Sequence, residues 1–566
     1  MKNHITISVI LAALLACQSP SDAQTAPGGG RVVLEVDAAS RIEPMKPLWA
    51  WYGYDEPNYT YMKDGRKLLT ELSEMNYVPV YVRTHNLLTS GDGEASYKWG
   101  STNAYTEDRK GRPVYDWTIV DRIFDTYIER GMKPLVEIGF MPEALSIHPE
   151  PYRHTWTPAN NGNIFTGWIH PPKDYDKWRD LVYNWVRHCV DRYGEDEVTT
   201  WYWEVWNEPD IGYWSGTHEE YCKLYDYAVD GVKKALPAAR VGGPETTDPS
   251  GERANNYLRM FLEHCRSGVN YATGEKGAPL DFVTFHAKGS PRVMDDHVRM
   301  NIGRQLNNID KGCEAVASFP EFKDLPIIIG ENDPEGCAAC SVDYHPQNAY
   351  RNGTMFSSYT AAVYSRIYEI ARKYGVNIAG AVSWAFEFEG QAWFAGFRDL
   401  ATNGVDKPVL NTFRMLNMMR GDLVTVSSSN PKPAELVRQE SVREDPDVNG
   451  LASVGERSVN VLVWNYHDDD LPAEPTAVRI DFRNLPGVDR VQVSHYRIDG
   501  QYSNSYEVWK KLGAPQDPTE EQYRILEDAG QLKLCTSPVW KPVENYGLTL
   551  EFDLPRQGVS LVKLTW

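Results

Sequence analysis

Between about residues 45 and 420, short apolar runs alternate with amphipathic stretches, and this alternation constrains the fold more than any other feature of the chain. The runs predicted to be strands are Leu48–Tyr54, Val78–Thr84, Lys133–Gly139, Thr199–Trp206, Arg240–Gly243, Leu280–His286, Pro326–Gly330 and Ile378–Ala385. Helical patterns lie between them, among them Trp117–Arg130, Trp178–Tyr193, Glu219–Ala235 and Met355–Tyr374. Eight strand–helix alternations over this length predict an α/β fold, a (β/α)8 TIM barrel.

The pattern changes after about residue 420, where helical periodicity fades and alternating strand patterns appear. Examples are Val459–Trp464 and Gly558–Leu564. We therefore place the barrel at residues 45–420 and predict an accessory β-sandwich at residues 421–566. A strand pattern at residues 31–44 precedes the barrel, and we expect it to join the sandwich.

The N-terminus has the pattern of an export signal. Lys2 precedes an apolar run, Ile5–Ala16, which is too short to span a bilayer and ends at Cys17. A cysteine directly after Leu-Leu-Ala resembles a bacterial lipoprotein signal, so residues 1–17 are predicted to be a signal peptide and Cys17 the lipidated residue. Plain secretion with a different cleavage site is the alternative. The small, polar and Gly-rich residues 18–30 are typical of a flexible tether.

Charge and cysteine content narrow the function classes. A formal net charge of −20 argues against a nucleic-acid partner, which requires a basic face. Seven cysteines remain after Cys17, so at least one is unpaired within the chain. For Cys337 and Cys340, a local disulfide or two free thiols is favoured over a redox or metal pair, because no second pair at metal spacing exists.

Glu208 ends the fourth predicted strand, in the sequence Trp203-Glu204-Val205-Trp206-Asn207-Glu208-Pro209. Proline biases the preceding residue toward extended backbone and cannot donate a strand hydrogen bond, so the strand gives way to a loop here. In a TIM barrel this edge is where catalytic side chains gather. The alternative is a merely solvated glutamate.

A second carboxylate, Glu331, follows the seventh predicted strand, Pro326–Gly330. Strands four and seven lie on opposite sides of an eight-stranded barrel, so the carboxylates of Glu208 and Glu331 are expected to face each other across its mouth. Glycoside hydrolysis requires such a pair, one protonated and one ionised. A separation of about 5–5.5 Å would indicate retention of configuration through a covalent intermediate.

Several stretches together resemble glycoside hydrolase family 39, the β-xylosidases and α-L-iduronidases. The matching stretches, in order, are Val82–Asn86, Gly139–Pro142, Arg192–Gly194, Trp203–Pro209, Val241–Pro244, Lys407–Leu410, His495–Asp499 and Ser503-Asn504. Each stretch is weak alone, but the ordered set covers nearly all of the chain after residue 40.

The resemblance implies a role for each matching residue. Glu208 would be the general acid/base and Glu331 the nucleophile, while Asn207 would hydrogen-bond the sugar 2-hydroxyl. Arg83 and His85 would orient the carboxylate and the sugar hydroxyls. The alternatives are a buried structural ion pair for Arg83 and a satisfied barrel histidine for His85.

The end of the sixth strand bears on the choice of sugar. In His286-Ala287-Lys288-Gly289 the chain departs from the His-x-Tyr pattern of the xylosidase branch and looks more like the iduronidase branch, as does Glu331-Asn332-Asp333-Pro334. β-D-Xylopyranosides and α-L-iduronides share carbons one to four and differ by a carboxylate on carbon five. Lys288, together with Arg398, is the feature expected to bind that carboxylate. The alternative is a solvated loop lysine.

Four further residues are weaker candidates for the site. Glu387 and Glu389 follow the eighth strand, where the family places a sugar-hydroxyl contact, but the spacing differs, so either residue or neither serves. Trp384 and Trp393 are candidates for stacking on the sugar, with core packing equally open. A disulfide between Cys337 and Cys340 would stiffen a loop beside the site.

The sequence thus predicts a retaining exo-glycosidase that acts on an oligosaccharide or polysaccharide, with no metal and no other cofactor. An endo-acting hydrolase with an open cleft and a non-catalytic glycan-binding protein on a hydrolase barrel are the alternatives. We expect an exported protein that is held at the bacterial cell envelope by its lipid and contacts the membrane only through that anchor. The oligomeric state is not predicted.

Overall fold

The structure is a computed structural model that describes residues 31–96, 99–154, 164–165 and 167–566. The predicted signal peptide at residues 1–17, with Cys17, and the predicted tether at residues 18–30 lie outside the described residues. Both assignments remain predictions.

The described strands, numbered in chain order, are β1 (Val32–Pro44), β2 (Trp51–Tyr54), β3 (Tyr81–Thr84), β4 (Tyr105–Glu107), β5 (Pro113–Tyr115), β6 (Lys133–Ile138), β7 (Arg153–His154), β8 (Ile164–Phe165), β9 (Tyr202–Val205), β10 (Arg240–Thr246), β11 (Phe282–Lys288), β12 (Arg292–Val293), β13 (Val298–Arg299), β14 (Pro326–Asp333), β15 (Asn377–Ala381), β16 (Ala401–Thr402), β17 (Val405–Asp406), β18 (Asp422–Ser428), β19 (Asp447–Val454), β20 (Ser458–Tyr466), β21 (Thr476–Arg483), β22 (Arg490–Ile498), β23 (Lys533–Pro542), β24 (Leu548–Leu554) and β25 (Val559–Thr565).

The described α-helices are α1 (Lys63–Met75), α2 (Thr118–Ile128), α3 (Tyr175–Tyr193), α4 (Glu195–Val198), α5 (His218–Ala235), α6 (Glu252–Ser267), α7 (Ile302–Ala317), α8 (Thr354–Tyr374), α9 (Pro408–Met418), α10 (Ala434–Glu440), α11 (Ser505–Lys511) and α12 (Glu520–Gly530). Helix α3 shows how the sequence specifies them. The Asp174 side chain caps its first turn by accepting from the backbone N–H groups of Asp176 and Lys177, an apolar face at helical spacing is buried, and the helix ends at Gly194, whose φ is 90°.

Eight strands form a closed parallel barrel, which confirms the predicted fold class. Their order is β2, β3, β6, β9, β10, β11, β14 and β15, the order of the chain. Backbone hydrogen bonds of 3.0 Å from Gly53 to Ser383 and from Ser383 to Trp51 join the last strand to the first. Each predicted strand is present, although the fourth begins at Tyr202 because the residues before it form α4 and a turn.

The second module is a nine-stranded sheet with its own apolar core, which is consistent with the predicted β-sandwich. Its order is β23-β22-β25-β20-β19-β18-β1-β21-β24, so the first strand of the described chain lies inside the sheet, antiparallel to β18 and parallel to β21. Val32, Leu34 and Val36 alternate with less buried residues on β1 and pack into the sandwich core. This is the period of a half-buried strand.

Helix α8 packs the barrel against the sandwich. The Arg366 guanidinium lies 2.6 Å from an Asp447 carboxylate oxygen, and both residues are buried. The Trp464 indole N–H donates to the same oxygen at 2.7 Å, and Ser358 is 2.7 Å from Gln557. Buried polar contacts thus join the barrel to the sandwich.

Candidate active site

The candidate active site lies at the carboxyl-terminal edge of the barrel, where β3, β9, β10, β11 and β14 end. Parallel strands open on the same side of a barrel, so residues that are distant in sequence meet there. Two carboxylates, Glu208 and Glu331, come together at this edge with a group of buried cations.

Glu208 lies in the loop after β9, in a backbone conformation that residues with side chains seldom adopt. Its φ is 46°, and the φ of Trp206 is 76°. The turn is held by the Trp206 N–H, which donates to the Ile138 carbonyl at 3.1 Å, and by the Glu208 N–H, which donates to the Glu245 carbonyl at 2.9 Å. The Glu208 side chain keeps 15% exposure, so it is the more accessible of the two carboxylates.

Glu331 lies on β14 and is surrounded by cations. One carboxylate oxygen is bound by the Lys288 ammonium, and the other lies 3.5 Å from Arg83, 3.6 Å from His85 and 3.7 Å from His286. Burial alone would raise the pKa of Glu331, but the surrounding charges, led by His286 and Lys288, hold that pKa far below its ordinary value. Glu331 is therefore ionised at neutral pH.

His286 on β11 is buried between the two carboxylates. Its Nδ1 lies 2.9 Å from Glu208 Oε1, and its Nε2 lies 3.7 Å from Glu331 Oε1. Nε2 is also 3.0 Å from Glu245 Oε2. Burial acts to lower the pKa of His286, yet Glu331 and Glu245 outweigh it and raise that pKa to about 10. The ring is an imidazolium at neutral pH.

Arg83 on β3 links most of the buried carboxylates. Its guanidinium contacts Glu204 directly and lies 3.0 Å from Glu137 and 3.4 Å from Glu245. It also donates to the Asn207 side-chain oxygen at 3.1 Å. Burial acts to lower the pKa of Arg83, but the carboxylates raise it above its ordinary value. Arg83 is thus a buried ion-pair residue, as the alternative had it, and it also fixes the amide next to Glu208.

His85, one residue beyond β3, is likewise fully engaged. Its Nδ1 is 2.7 Å from Asp55, and its Nε2 is 3.1 Å from Glu137. The ring packs against Trp384, with ring centroids 4.3 Å apart. His85 is therefore a satisfied barrel histidine that also borders the site, since its Nε2 reaches to 3.6 Å from Glu331.

The sequence analysis missed three buried carboxylates of this cluster, Glu137, Glu204 and Glu245. Each lies within an otherwise apolar strand, β6, β9 or β10. A carboxylate is almost never fully buried unless it is paired, so its presence inside an apolar run was the signal that pointed to a charged barrel interior.

Glu204 and Glu245 are buried carboxyl groups that both lie against the Arg83 guanidinium. Burial is the main cause that raises the pKa of Glu204 well above its ordinary value, and Glu245 adds to it. Burial acts in the same direction on Glu245, but Arg83 and His286 lower its pKa to about 2. Of these two carboxyl groups, Glu204 is therefore the one that favours the protonated form, and Glu245 is ionised.

Lys288 is buried on β11 rather than solvated in a loop, because the strand continues two residues beyond the predicted end. Its ammonium binds Glu331 and lies 3.7 Å from Asp333, a second carboxylate that the sequence analysis did not select. The Lys288 backbone is held as well, since its N–H donates to Asp248 at 2.9 Å. The lysine is thus fixed beside Glu331 from both ends.

Arg398 is fully buried behind Trp384. Its Nε donates to the Trp384 carbonyl at 2.8 Å, and its guanidinium lies 2.6 Å from Glu335 and 3.6 Å from Asp333. Burial acts to lower the pKa of Arg398, but these carboxylates raise it. The structure therefore places Arg398 among protein carboxylates beneath the site, while the Trp384 ring, 5.0 Å from the Arg83 guanidinium carbon, borders the site itself.

The structure places Glu387, Glu389 and Trp393 against other parts of the chain. Glu387 is buried and accepts from the Gly404 N–H at 2.5 Å, and burial raises its pKa well above the ordinary value. Glu389 accepts at 2.9 Å from the backbone N–H of Asp64 in the first turn of α1. Trp393 packs on Phe394 and Tyr523.

The loop after β14 contains a disulfide between Cys337 and Cys340, one of the two outcomes favoured by the sequence. Arg351 binds the carbonyls of both cysteines, at 2.5 Å and 3.0 Å, and its guanidinium lies 2.5 Å from Glu335. The Arg398 N–H donates to Ala338 within the loop at 2.9 Å. The loop beside Glu331 is therefore tied down by two buried arginines.

Aromatic side chains stand beside this cluster. Phe140 contacts Trp206 and Tyr213, with ring centroids 5.2 Å and 5.8 Å apart, and Tyr152 lies 5.8 Å from Tyr213. These apolar faces are of the kind that sugar rings stack on. Within the described residues, no group of three or more His, Cys, Asp or Glu side chains is arranged to hold a metal ion.

Comparison with known proteins gives the same family along most of the chain. The family model described as glycosyl hydrolases family 39 matches residues 32–544. A β-xylosidase of Caldicellulosiruptor saccharolyticus is 26% identical over 460 residues, which cover 79% of this chain and 82% of that protein. An α-L-iduronidase of Mus musculus is 25% identical over 569 residues, 94% of this chain and 80% of that protein.

Solved structures share the fold. The crystal structure of a monomeric β-xylosidase from Caulobacter crescentus CB15 superposes with a TM-score of 0.73 at 21% identity. The superposition covers 95% of this chain and 99% of that one. The barrel and the sandwich are therefore both shared with a known structure.

Proposed function

The chain belongs to glycosyl hydrolase family 39, a retaining family of glycosidases, and from this membership we propose that Glu331 is its nucleophile and Glu208 its general acid/base. One observation carries the proposal: a single buried imidazolium, His286, contacts Glu208 and lies within 3.7 Å of Glu331. Both carboxylates therefore lie beside the same imidazolium ring.

The environments of Glu331 and Glu208 differ in the way that their two proposed roles require. Glu331 is buried and held ionised by the charges around it, led by His286 and Lys288, as an attacking carboxylate must be. Glu208 is more exposed and lies in the loop that borders the opening, where it can give a proton to a leaving group and later accept one from water. Asn207, fixed by Arg83, is positioned next to Glu208 to bind the sugar 2-hydroxyl.

The reaction then has two displacements. In the first, Glu208 protonates the glycosidic oxygen while a Glu331 oxygen attacks the anomeric carbon, which gives a covalent glycosyl-enzyme and a free alcohol. In the second, ionised Glu208 takes a proton from water, the water oxygen attacks the same carbon, and Glu331 leaves as a carboxylate. Two inversions produce net retention of configuration.

We propose further that the enzyme is exo-acting on a β-D-xyloside or an α-L-iduronide-like uronic acid at the non-reducing end of an oligosaccharide. Relatives named β-xylosidase and α-L-iduronidase support this pair of sugars. Lys288 supports the uronate, because its ammonium lies at the reacting carboxylate, where a carboxylate on carbon five of a bound sugar is within reach of the same cation.

The nucleophile assignment is tested with Glu331→Ala. This variant is expected to fold, to lose turnover of nitrophenyl β-xyloside and 4-methylumbelliferyl α-L-iduronide, and to regain activity on the substrate that the wild type cleaves when azide is added. The rescued product must have the anomeric configuration opposite to the wild-type product. The matched control is Glu197→Ala, which changes a glutamate paired with Lys133 just before β9, at the other end of the barrel, and should leave turnover intact.

An inactive Glu331→Ala protein that azide does not rescue contradicts the nucleophile assignment. If the wild type cleaves neither glycoside nor any oligosaccharide, the glycan-binding alternative replaces the catalytic proposal. Release of internal fragments from a polysaccharide, without terminal monosaccharide, would identify an endo-acting enzyme.

A further inference from the structure

Glu245 joins the backbone of Glu208 to the histidine that binds the Glu208 side chain. Its carbonyl accepts from the Glu208 N–H at 2.9 Å, and its Oε2 lies 3.0 Å from His286 Nε2. His286 Nδ1 in turn lies 2.9 Å from Glu208 Oε1. The three residues thus form a closed ring of contacts that fixes both ends of Glu208.

Glu245 adopts a backbone conformation that is unfavourable for a residue with a side chain. Glu245 has a φ of 53°, in the left-handed region, and is fully buried. Its carboxylate lies against Gly330, where a Cβ atom would come within 2.0 Å of Glu245 Oε1. Glu245 has a left-handed backbone conformation, and Gly330 leaves space for its side chain. This combination indicates that the position of the Glu245 carboxylate itself is important.

We infer that Glu245 is a positioning residue that keeps His286 doubly protonated, so that Glu208 is always the acceptor of the histidine Nδ1–H. This inference rests on the acid/base role proposed for Glu208. It concerns the protonation state of one imidazole, which can be measured without substrate.

Two carboxylate acceptors face the ring, Glu208 at Nδ1 and Glu245 at Nε2. A neutral imidazole has one N–H, and facing Glu245 it would carry that proton on Nε2 and present a lone pair on Nδ1. Protonated Glu208 would then donate to Nδ1, with its proton directed at the histidine instead of the substrate. Only the imidazolium places an N–H opposite both carboxylates, at 2.9 Å from Glu208 Oε1 and 3.0 Å from Glu245 Oε2, which leaves Glu208 Oε2 to carry the proton that is transferred.

Other charged groups around the ring act on the same equilibrium. Glu208 faces it from the β9 loop, Glu245 from β10 and Glu331 from β14. Beyond these carboxylates, Arg83 on β3 and Lys288 on the strand of His286 add positive charge, and His85 also lies at Glu331. Glu331 is farther from the ring, at 3.7 Å, and its charge is shared with Lys288. Glu331 and Glu208 also favour the charged ring, and Glu245 is the carboxylate of the three that lies at hydrogen-bond distance from Nε2, where the second ring proton sits.

The direct test is the ¹⁵N NMR spectrum of histidine-labelled enzyme, with the His286 signals assigned from their loss in His286→Gln. In the wild type the His286 ring is expected to show two protonated nitrogens up to about pH 9, since its pKa is raised to about 10. In Glu245→Gln the ring should be neutral at pH 8, with its one proton on Nε2, where the side-chain carbonyl accepts it, so that Nδ1 becomes an acceptor for Glu208. A wild-type ring that is neutral at pH 8, or a variant ring that stays charged, overturns the inference.

The pH dependence of kcat/KM gives a second readout, with a sign that a merely structural role would not produce. Loss of the imidazolium removes a positive charge beside the proposed acid, so the basic limb of the profile should move to higher pH in Glu245→Gln. If His286 kept its charge, removal of a nearby anion would move the limb to lower pH. An unmoved limb or a downward shift overturns the inference.

Asp226→Asn is the matched control, because Asp226 is a buried carboxylate 3.0 Å from His264 Nε2 on helices outside the barrel interior. It should alter the His264 signals and leave both the His286 signals and the profile unchanged. Absence of glycosidase activity in the wild type would refute the proposed function, while the NMR result would still decide the role of Glu245.

Discussion

At the scale of single residues, Lys288 differs from the other cations of the site in what holds it. Arg83 is fully buried among several carboxylates, whereas the Lys288 side chain keeps 9% exposure, and Glu331 and Asp333 are its ion-pair partners within the described part of the chain. A lysine ammonium is a compact charge on a flexible side chain with three N–H donors. It can therefore bind a further carboxylate while it keeps Glu331 and Asp333 as partners. This makes Lys288 the residue at which sugar selection is tested.

Lys288→Met is expected to reduce kcat/KM for an α-L-iduronide by about tenfold to a hundredfold relative to a β-xyloside, which corresponds to the loss of one charged hydrogen bond. Steady-state kinetics on both substrates measures the ratio. Lys233→Met, which removes a lysine paired with Asp281 outside the site, is the control. Equal losses on the two sugars would contradict uronate binding by Lys288.

The same substitution has an expected effect on pH dependence. Glu331 must be ionised to attack, and its lowered pKa places the acidic limb of kcat/KM well below neutral pH. Removal of the ammonium raises that pKa toward its ordinary value, so the acidic limb should move to higher pH.

Some site residues were predictable from the sequence and others were not, for a physical reason. Glu208 and Glu331 stand at strand ends, where a change from apolar to polar residues marks the mouth of a barrel. Glu137, Glu204 and Glu245 stand inside strands that are buried on both faces, where side-chain alternation does not tell the barrel interior from the helix layer. The cationic partners of these carboxylates, such as Arg83, are distant in sequence and come close to them only in the folded barrel.

At the scale of elements, β10 and β14 meet through a side chain that fills the space next to a glycine. The Glu245 carboxylate reaches across to β14 and occupies the position where residue 330 would carry a Cβ. Because Gly330 directly precedes Glu331, the packing of one strand end against another sets the position of the proposed nucleophile.

Gly330→Ala is therefore expected to displace either Glu245 or the β14 backbone. We expect a loss of about 1–3 kcal/mol in the free energy of unfolding, as for other overpacked cores, together with a large loss of kcat. Chemical denaturation and steady-state kinetics measure the two effects. Gly336→Ala, in the loop after the same strand with nothing within 4 Å of its Cβ position, should change neither; wild-type kcat in Gly330→Ala would contradict this role of the glycine.

The elements themselves were largely predictable because parallel barrel strands read as apolar runs. The errors lie at their ends. Thr199 and Thr200 were assigned to the fourth strand, but the residues just before them form α4, whereas β11 extends past His286 to include Lys288. In both cases hydrogen bonding to neighbouring elements, which local composition does not reveal, sets where the strand begins or ends.

At the scale of the whole molecule, the predicted anchor and the described modules suggest how the enzyme is presented. The predicted tether leads directly into β1, which belongs to the sandwich. Lipid on Cys17 would therefore attach the molecule to the envelope through the sandwich, with the barrel joined to it by buried contacts such as Arg366 with Asp447. Within the described residues, no helix has the length and apolarity to cross a bilayer.

Metabolic labelling with an alkyne fatty acid tests this attachment. The full-length chain is expected to incorporate the label in a bacterial host and to fractionate with membranes, and Cys17→Ser should abolish both because the acceptor thiol is lost. Cys535→Ser, which removes a partly exposed thiol of the sandwich, should leave the labelling unchanged. Unlabelled wild-type protein in the medium would indicate plain secretion.

The position of β1 between β18 and β21 also bears on how the chain is made. A ribosome releases β1 several hundred residues before β18 or β21 exists. The apolar residues Val32, Leu34 and Val36 therefore have no strand partners while the barrel is synthesised. A gene shortened at the end of the barrel would leave that strand without partners permanently. Strand β1 can therefore enter its sheet only when translation is almost finished.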